Sequence, residues 1–261
     1  ASMYMAIEHA QMRATLQARQ GQGDRERRDL HDVRERLLHV LEHGRIAIAL
    51  QPIVRLADGA VVGHEALARF PLEYDLSTGR WFEDAARTGL SVELELAAAA
   101  AALARFASLP RETFLSVNVS PETACSDRLR QLIAGYDLRR LVLEVTEHTP
   151  VDDYGRLNQR LSALQEEGVR IAVDDTGAGF ASLRHVLRLA PDIIKLDITL
   201  VREVDQRPRM QTLIAALLTF AQGTGADLIA EGVESPRQLE TLKQLGVPLG
   251  QGFHLGHPQC T

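Results

Sequence analysis

The ten residues Arg170–Gly179 read R-I-A-V-D-D-T-G-A-G and indicate how the chain is built. The run Ile171–Val173 predicts a strand that delivers two adjacent carboxylates, Asp174 and Asp175, into a turn containing two glycines. Neighbouring side chains of a strand point to opposite faces, so two consecutive acids converge only where the strand ends and the backbone bends. Glycine permits such a bend because it adopts positive φ without steric cost.

This pair of acids has two interpretations. Adjacent carboxylates repel each other, and a divalent cation held by oxygen ligands would supply the missing counter-charge. The alternative is a surface turn that caps the following helix. The rest of the chain has to decide between them.

Length and composition favour a globular α/β chain without membrane spans. The sequence has 261 residues, of which 45% are hydrophobic, and α/β barrels commonly reach this size as one unit. No apolar run approaches the roughly 18 residues that a span needs, and the start shows no signal-peptide pattern. The net charge of −6 argues against general nucleic-acid binding. Two distant cysteines, Cys125 and Cys260, fit a reduced cytoplasmic setting.

Strand-like and helix-like segments follow one another along the chain. The predicted strands are Ile46–Leu50, Val61–Arg69, Phe114–Val119, Leu141–Thr146, Arg170–Val173, Ile193–Leu196, Leu228–Ala230 and Leu249–His254. The predicted helices are Arg27–His43, Trp81–Ser108, Asp127–Tyr136, Asp152–Glu167, Phe180–Leu189, Arg207–Gly223 and Pro236–Leu245. Eight strands interleaved with helices predict a (β/α)8 barrel rather than an open doubly wound sheet.

Polar residues recur inside or just after the apolar strands. They are Glu65, Asn118, Glu144, Glu147, Asp174, Asp175, Lys195, Asp197, Glu231, Glu234 and Gln251. Taken singly, each also fits a solvated acid, a salt bridge or a turn residue. Because catalytic groups of such barrels lie at the carboxyl ends of several strands, the recurrence instead indicates one common site.

The chemistry of this set favours a hard divalent metal. Carboxylates and a carboxamide without a Cys or His cluster suit Mg²⁺ or Mn²⁺ better than Zn²⁺. Two adjacent aspartates suit a two-metal site that activates water at a phosphodiester. The residues alone therefore predict a metal-dependent barrel enzyme that acts on a phosphate ester.

Eight ordered motifs resemble the EAL family of cyclic di-GMP phosphodiesterases. They are Q-P-I-V (Gln51–Val54), E-A-L-A-R (Glu65–Arg69), N-V-S-P (Asn118–Pro121), E-V-T-E (Glu144–Glu147), D-D-T-G-A-G-F-A-S-L (Asp174–Leu183), I-K-L-D (Ile194–Asp197), A-E-G-V-E (Ala230–Glu234) and Q-G-F (Gln251–Phe253). The resemblance implies a TIM-type (β/α)8 barrel with one antiparallel strand. It also implies hydrolysis of cyclic di-GMP to linear pGpG with two divalent cations, Mg²⁺ or Mn²⁺.

The same resemblance assigns roles by position. The implied metal ligands are Glu65, Asn118, Glu144, Asp174, Asp175 and Glu231. The implied catalytic residues are Lys195, Glu231 and Glu65, with Lys195 orienting the attacking water between the metals. The implied substrate contacts are Gln51, Arg69 and Gln251. Glu147 is expected to anchor the loop Asp175–Phe180, while Asp197 and Glu234 are expected to support the site from behind.

The resemblance also bears on domains and assembly. Residues 1–26 read as the tail of an upstream region, and their start, Ala1–Ala6, is faintly similar to the end of a GGDEF domain. Residues 27–44 read as a connector helix or, equally, as a cap over the bottom of the barrel, and residues 45–261 read as the EAL barrel. A homodimer is implied, together with an upstream sensory or GGDEF domain in a longer protein. Thr176 and Ala178 depart from the D-D-F-G-T-G form common in the family, although every acid is retained.

Two alternatives remain open. A non-catalytic cyclic di-GMP receptor or protein-interaction module would keep this fold without turnover. An unrelated metal-dependent barrel lyase or isomerase would match the acids at the strand ends but not the order of the motifs.

Overall fold

A closed barrel of parallel strands forms the centre of the fold. The computed structural model describes residues 27–145, 153–176 and 186–260, without the side chains of residues 175 and 176. In these residues the strands follow the order β2-β3-β4-β5-β6-β7-β8-β1, and β1 pairs back to β2, which closes the sheet. The strands are β1 Ala47–Arg55, β2 Val61–Arg69, β3 Phe114–Val119, β4 Leu141–Val145, β5 Arg170–Thr176, β6 Ile193–Leu196, β7 Asp227–Ala230, β8 Leu249–Gly250 and β9 Gln259–Cys260. The predicted (β/α)8 barrel is confirmed.

The first strand runs against all of its neighbours. It pairs antiparallel with β2, with β8 and with the short strand β9, whereas β2 through β8 are parallel to one another. The loop of five residues between β1 and β2 explains this direction, because a short connection joins antiparallel strands and a parallel pair needs a long crossover. The single antiparallel strand that the resemblance implies is confirmed.

Helices connect the parallel strands. The described helices are α1 (27–42), α2 Thr78–Thr88, α3 Ser91–Leu103, α4 Pro121–Ala124, α5 Asp127–Ile133, α6 Tyr154–Glu166, α7 (186–189), α8 Ile198–Val201, α9 Pro208–Thr224 and α10 Pro236–Leu245. None of the helices in the described ranges is both long enough and apolar enough to cross a membrane. The helix α10 shows how the ends are set: Ser235 and Gln238 form a reciprocal capping box at its start, and Gly246 ends it at φ 81°.

The barrel interior is filled by apolar side chains from every strand. One buried cluster takes a residue from each of seven strands, and the partly buried Val62 of β2 packs against it; the seven are Ile53, Phe114, Val142, Ala172, Ile193, Ile229 and Leu249. Strands covered on both faces read as nearly continuous apolar runs, as in β4, all five of whose residues are buried. These apolar side chains fill the barrel below the carboxyl ends of the parallel strands. Polar side chains can therefore cluster only at the rim.

One predicted helix is wrong. The expected helix Trp81–Ser108 is two helices, because Gly89 adopts φ 69° and ends α2, and α3 begins at Ser91. The six alanines of α3 have a strong helix propensity, and they therefore favoured one continuous helix in the prediction. The predicted strand Leu249–His254 is also too long, since β8 ends at Gly250 and the following residues form a loop.

The described residues form two compact units. The larger contains the barrel, residues 46–70 and 95–260, and the smaller contains residues 27–45 and 71–94. Within the smaller unit, the side chain of Asp84 of α2 is 1% exposed. It forms ion pairs with Arg36 of α1 at 2.5 Å, with Arg87 at 3.0 Å and with Arg80 at 3.1 Å. A buried carboxylate needs such partners, so these contacts tie α1 to α2.

Candidate active site

Four of the predicted acids, Glu65, Glu144, Asp174 and Glu231, meet toward the carboxyl ends of the parallel strands. In register, Asn118 of β3 lies beside Glu144 of β4, and Glu65 of β2 lies beside Ser116 of β3. Glu231 follows the last residue of β7 directly. Because all these strands point the same way, their ends bring the side chains to one rim.

Lys195 is the centre of this rim. Its ammonium nitrogen, Nζ, lies 2.6 Å from Glu231 Oε1, 2.7 Å from Glu144 Oε2, 3.3 Å from Asp174 Oδ1 and 3.5 Å from Glu65 Oε2. The side chains of Lys195 and Glu144 are each 1% exposed, whereas those of Asp174 and Glu231 are 18% and 20% exposed. The cluster is therefore shielded from solvent on the barrel side and accessible to solvent on the side of Asp174 and Glu231.

Carboxamides orient Glu65 from both sides. Asn118 Nδ2 donates to Glu65 Oε1 at 3.0 Å, and Gln251 Nε2 donates to Glu65 Oε2 at 2.7 Å. Gln251 Nε2 also donates to Gln51 Oε1 at 3.0 Å, and Gln51 Nε2 donates to the carbonyl oxygen of Gly256 at 3.2 Å. The antiparallel strand thus contributes to the site, since Gln51 lies opposite Glu65 in the β1–β2 pair.

Glu144 has a partner that the sequence analysis missed. The hydroxyl of Ser116, a residue only 1% exposed, donates to Glu144 Oε1 at 2.5 Å. Ser116 precedes Asn118 by two positions on β3 and therefore shares its face of the strand. That spacing from Asn118 is the signal in the sequence that could have revealed it.

The pKa values reflect an excess of negative charge over one cation. Burial, reinforced by the charge of Glu65, raises the pKa of Glu144 from 4.5 to about 8 against the opposing effect of Lys195. Burial likewise raises the pKa of Glu231 well above its usual value. Burial alone would lower the pKa of Lys195, but the surrounding carboxylates, Glu144 first, raise it well above 10.5. Lys195 is thus a permanent cation among carboxylates that lack enough counter-charge.

A cleft of about 270 Å³ opens onto the cluster. The residues that line it are Gln51, Glu65, Asp174, Lys195, Ile198, Glu231, Gly232, Glu234, Gln251, Gly252 and Phe253. A larger cavity of about 810 Å³ lies near the amino ends of the parallel strands, with Phe114, Arg170 and Asp227 in its wall. That cavity has nearly balanced charges and no acid cluster, so size alone does not identify the candidate site.

The loops after β7 and β8 form one wall of the cleft by packing directly on each other. Val233 N donates to the carbonyl oxygen of Gln251 at 3.0 Å, and His254 N donates to that of Val233 at 3.0 Å. A Cβ on Gly252 would lie 2.2 Å from Val233 N, so only glycine allows this approach. Phe253, the next residue, is 55% exposed and stacks on His257 with ring centroids 4.6 Å apart.

Several predicted residues lie away from the cluster or outside the described residues. Asp197 Oδ1 accepts hydrogen bonds from Thr199 N at 2.8 Å and from the Thr199 hydroxyl, and so caps α8. Arg69 Nη1 donates to the carbonyl oxygen of Ala68 at 2.9 Å, and Arg69 is not among the residues that line the cleft. Glu234 is exposed and lies on the cleft wall. Glu147 and the Asp175 side chain lie outside the described part of the chain.

The donor set fits a hard divalent cation, although the described residues form no preformed cage. Among the described residues, no group of three or more Asp, Glu, His or Cys side chains is arranged as a metal site; the carboxylates close around Lys195 instead. The site nevertheless collects carboxylate oxygens and carboxamides, the ligands that Mg²⁺ and Mn²⁺ prefer. Gln251 Oε1 is also buried without a hydrogen-bond partner in the described residues, as expected for an oxygen that a cation or its water would satisfy.

A family comparison decides the identity of the domain. The sequence model of the EAL domain matches residues 34–258. The chain belongs to the EAL domain family. Its relatives include the uncharacterized protein Rv1357c of Mycobacterium tuberculosis, which is 32% identical over an alignment of 231 residues, with 82% of this chain and 75% of that protein covered. The probable cyclic di-GMP phosphodiesterase PdeG of Escherichia coli is 31% identical over 86% of this chain and 46% of its own length.

Solved EAL structures share the fold of this EAL domain. The EAL domain of Xanthomonas citri FimX superposes with a TM-score of 0.78 at 20% identity, over 90% of this chain and 97% of that one. Klebsiella pneumoniae BlrP1, solved with manganese and cyclic di-GMP, gives a TM-score of 0.70 at 29% identity over 82% of this chain and 56% of its own.

Proposed function

We propose that this EAL domain hydrolyses one phosphodiester bond of cyclic di-GMP and releases linear pGpG. The observation that carries the proposal is the buried ammonium of Lys195, held by four carboxylates beside an open cleft. Relatives at 29–31% identity are named cyclic di-GMP phosphodiesterases or were solved with this dinucleotide, which supports the same substrate here.

Two divalent cations, Mg²⁺ or Mn²⁺, are part of the proposal. The residues that would hold them are Glu65, Asn118, Glu144, Asp174, Asp175 and Glu231. When bound, such cations supply Lewis-acid polarisation of the phosphate and a more acidic water. The charge of the cluster supports this, because carboxylates with raised pKa values are what a bound cation would stabilise in their ionised form.

The protein itself positions the reacting groups and excludes bulk water from the inner side of the site. Lys195 donates hydrogen bonds from a fixed point at the base of the cleft, and in the proposed reaction it orients the attacking water. The water oxygen bonds to phosphorus, the P–O3′ bond breaks, and the 3′ oxygen leaves with a proton. The apolar plug of the barrel keeps bulk water away from the inner side of the cluster, which strengthens these contacts.

Substrate contacts complete the proposal. Gln51 and Gln251 lie on the cleft wall and offer carboxamides to the dinucleotide. Arg69, at the end of β2, offers a fork-shaped donor to a phosphate oxygen. Phe253, which the sequence analysis did not assign, presents an exposed ring at the mouth of the cleft for stacking on a guanine base.

The remaining assignments concern support and assembly. We propose that Glu147 anchors the loop Asp175–Phe180, that Asp197 and Glu234 support the rim, and that residues 27–44 connect the barrel to an upstream region. A homodimer is part of the proposal, and the 69% exposed Leu187 of α7 offers an apolar contact for it. Sedimentation that shows only monomer at high protein concentration would contradict the dimer.

The test is incubation of the purified chain with cyclic di-GMP and Mg²⁺ or Mn²⁺, with chromatographic resolution of the products. We expect pGpG to appear with either metal and to be absent when a chelator is added. The variant Lys195→Ala should abolish product formation, and Lys243→Ala, at the only other lysine of the sequence, should not. Binding without cleavage would instead identify a receptor, and failure to bind the dinucleotide would reject both functions.

A further inference from the structure

Ser116 is a buried hydroxyl with one acid as its partner. It lies in the middle of the apolar strand β3, where an unpaired hydroxyl would be costly. Its proton goes to Glu144 Oε1 at 2.5 Å. Among the described residues, no other uncharged group donates to the Glu144 carboxylate, whose second oxygen accepts from Lys195 at 2.7 Å.

The two oxygens of Glu144 therefore have different surroundings. Oε1 faces into the barrel toward β3, and Oε2 faces the ammonium at the centre of the cluster. The terminal torsion of a glutamate is broad and roughly two-fold, so a carboxylate without a tether turns easily. Glu65 differs, because two carboxamides, of Asn118 and Gln251, hold its two oxygens, whereas Ser116 is the one uncharged group among the described residues that holds Glu144.

We infer that Ser116 is a positioning residue that fixes the orientation of Glu144 and so presents Oε2 to the cation site. This inference rests on the proposed function, because it concerns the same site. The hydroxyl acts through Glu144 and touches neither substrate nor metal, since Ser116 is not among the residues that line the cleft. Outer partners of metal ligands typically change metal affinity by about 10–100-fold when removed.

The test measures Mn²⁺ binding without substrate, by calorimetry on protein freed of metal with a chelator. For Ser116→Ala we expect a dissociation constant about 10–100-fold weaker than that of the wild type. The conservative variant Ser116→Thr keeps the hydroxyl and should bind Mn²⁺ within about threefold of the wild type.

A matched control is available on the same segment. Ser120 is 6% exposed and caps α4, and among the described residues its hydroxyl contacts Thr123 and no carboxylate. The variant Ser120→Ala loses a buried serine hydroxyl in the same way, yet it should leave the Mn²⁺ dissociation constant within about threefold. With cyclic di-GMP as substrate, Ser116→Ala should lower kcat while KM changes less than about twofold.

Each outcome decides the inference. Mn²⁺ binding by Ser116→Ala that equals the wild type overturns it, and so does equal weakening in Ser116→Ala and Ser120→Ala or in Ser116→Ala and Ser116→Thr. Wild-type protein that binds Mn²⁺ but does not cleave cyclic di-GMP rejects the proposed function alone, because the effect of Ser116→Ala on the dissociation constant is still measured. Wild-type protein that does not bind Mn²⁺ rejects both.

Discussion

Replacing Lys195 with methionine tests how the acid cluster is held together. Methionine keeps the length and apolar stem of the side chain but removes the ammonium that lies within 3.5 Å of all four carboxylates. Removing one partner of a buried ion pair costs about 3–5 kcal/mol, because the other charge stays buried without compensation. For a domain of this length, 1 kcal/mol corresponds to about 2–4 °C, so the melting temperature should fall by on the order of 10 °C.

The assay is thermal unfolding followed by circular dichroism, first in chelator and then with Mn²⁺ added. In chelator, Lys195→Met should show the full loss of stability. Binding to the folded state at 100 times the dissociation constant contributes about 2.7 kcal/mol. We expect Mn²⁺ to raise the melting temperature of Lys195→Met more than that of the wild type, because the cation enters a cluster that has lost its own positive charge.

The matched control is Lys243→Met. Lys243 is exposed in the last turn of α10, and none of the ion pairs among the described residues includes it. Its replacement should change the melting temperature by less than about 2 °C, as expected of a surface position. A Lys195→Met protein as stable in chelator as the wild type, or equal stabilisation of both proteins by Mn²⁺, would refute the reasoning.

Three further predictions address other parts of the molecule. Asp174→Asn should lower kcat for cyclic di-GMP more than about 100-fold, beyond the range of outer-shell changes; turnover within tenfold of the wild type in a steady-state assay would contradict the proposed site. Phe253→Ala should raise KM about 5- to 150-fold with little change in kcat, since stacking on one base contributes about 1–3 kcal/mol; an unchanged KM would remove Phe253 from the substrate contacts. Asp84→Asn should destabilise the protein in urea by at least about 1.5–3 kcal/mol, because contacts from Arg36, Arg80 and Arg87 lose their charge partner; an unchanged unfolding midpoint would show that the contacts contribute nothing.

Much of the barrel could be predicted because its strands obey local rules. The bounds of β2, β3 and β6 agree with the prediction, since β3 and β6 are largely apolar and all three strands are flanked by Gly, Pro or Asp residues that favour turns. The break between α2 and α3 could not be predicted in the same way. A single glycine within a helical pattern is usually tolerated, and only the fold shows that Gly89 takes positive φ.

In the candidate site, too, some residues could be predicted from the sequence and others could not. Acids inside apolar strands are conspicuous, so Glu65, Glu144 and Asp174 could be identified from the sequence. Phe253 could not, because an aromatic residue in a loop has common structural explanations, and Ser116 had only its spacing of two residues from Asn118 as a signal. The part proposed for Ser116 depends on its contact with Glu144, 28 residues away in the sequence. The part proposed for Phe253 depends on its exposed position beside the cleft.

The small number of lysines in the sequence also points to Lys195, independently of the motifs. The sequence contains 29 lysines and arginines, and only two of them, Lys195 and Lys243, are lysines. In a chain that otherwise uses arginine almost throughout, a lysine inside a buried strand indicates a need for a compact charge. A planar guanidinium could not approach four carboxylates from one point, whereas an ammonium can.

The reversed direction of β1 determines where the polypeptide reaches the barrel. In a barrel of uniformly parallel strands, the chain would enter at the amino ends, opposite the functional rim. Here Ala47, the first residue of β1, pairs with Arg69, the last residue of β2, at the carboxyl end of the sheet. The chain arriving from residue 46 and the chain departing at residue 70 therefore meet the barrel at neighbouring points of the rim that carries the candidate site. A pull or twist along either segment would reach the β2 end that carries Arg69 without passing through the barrel core.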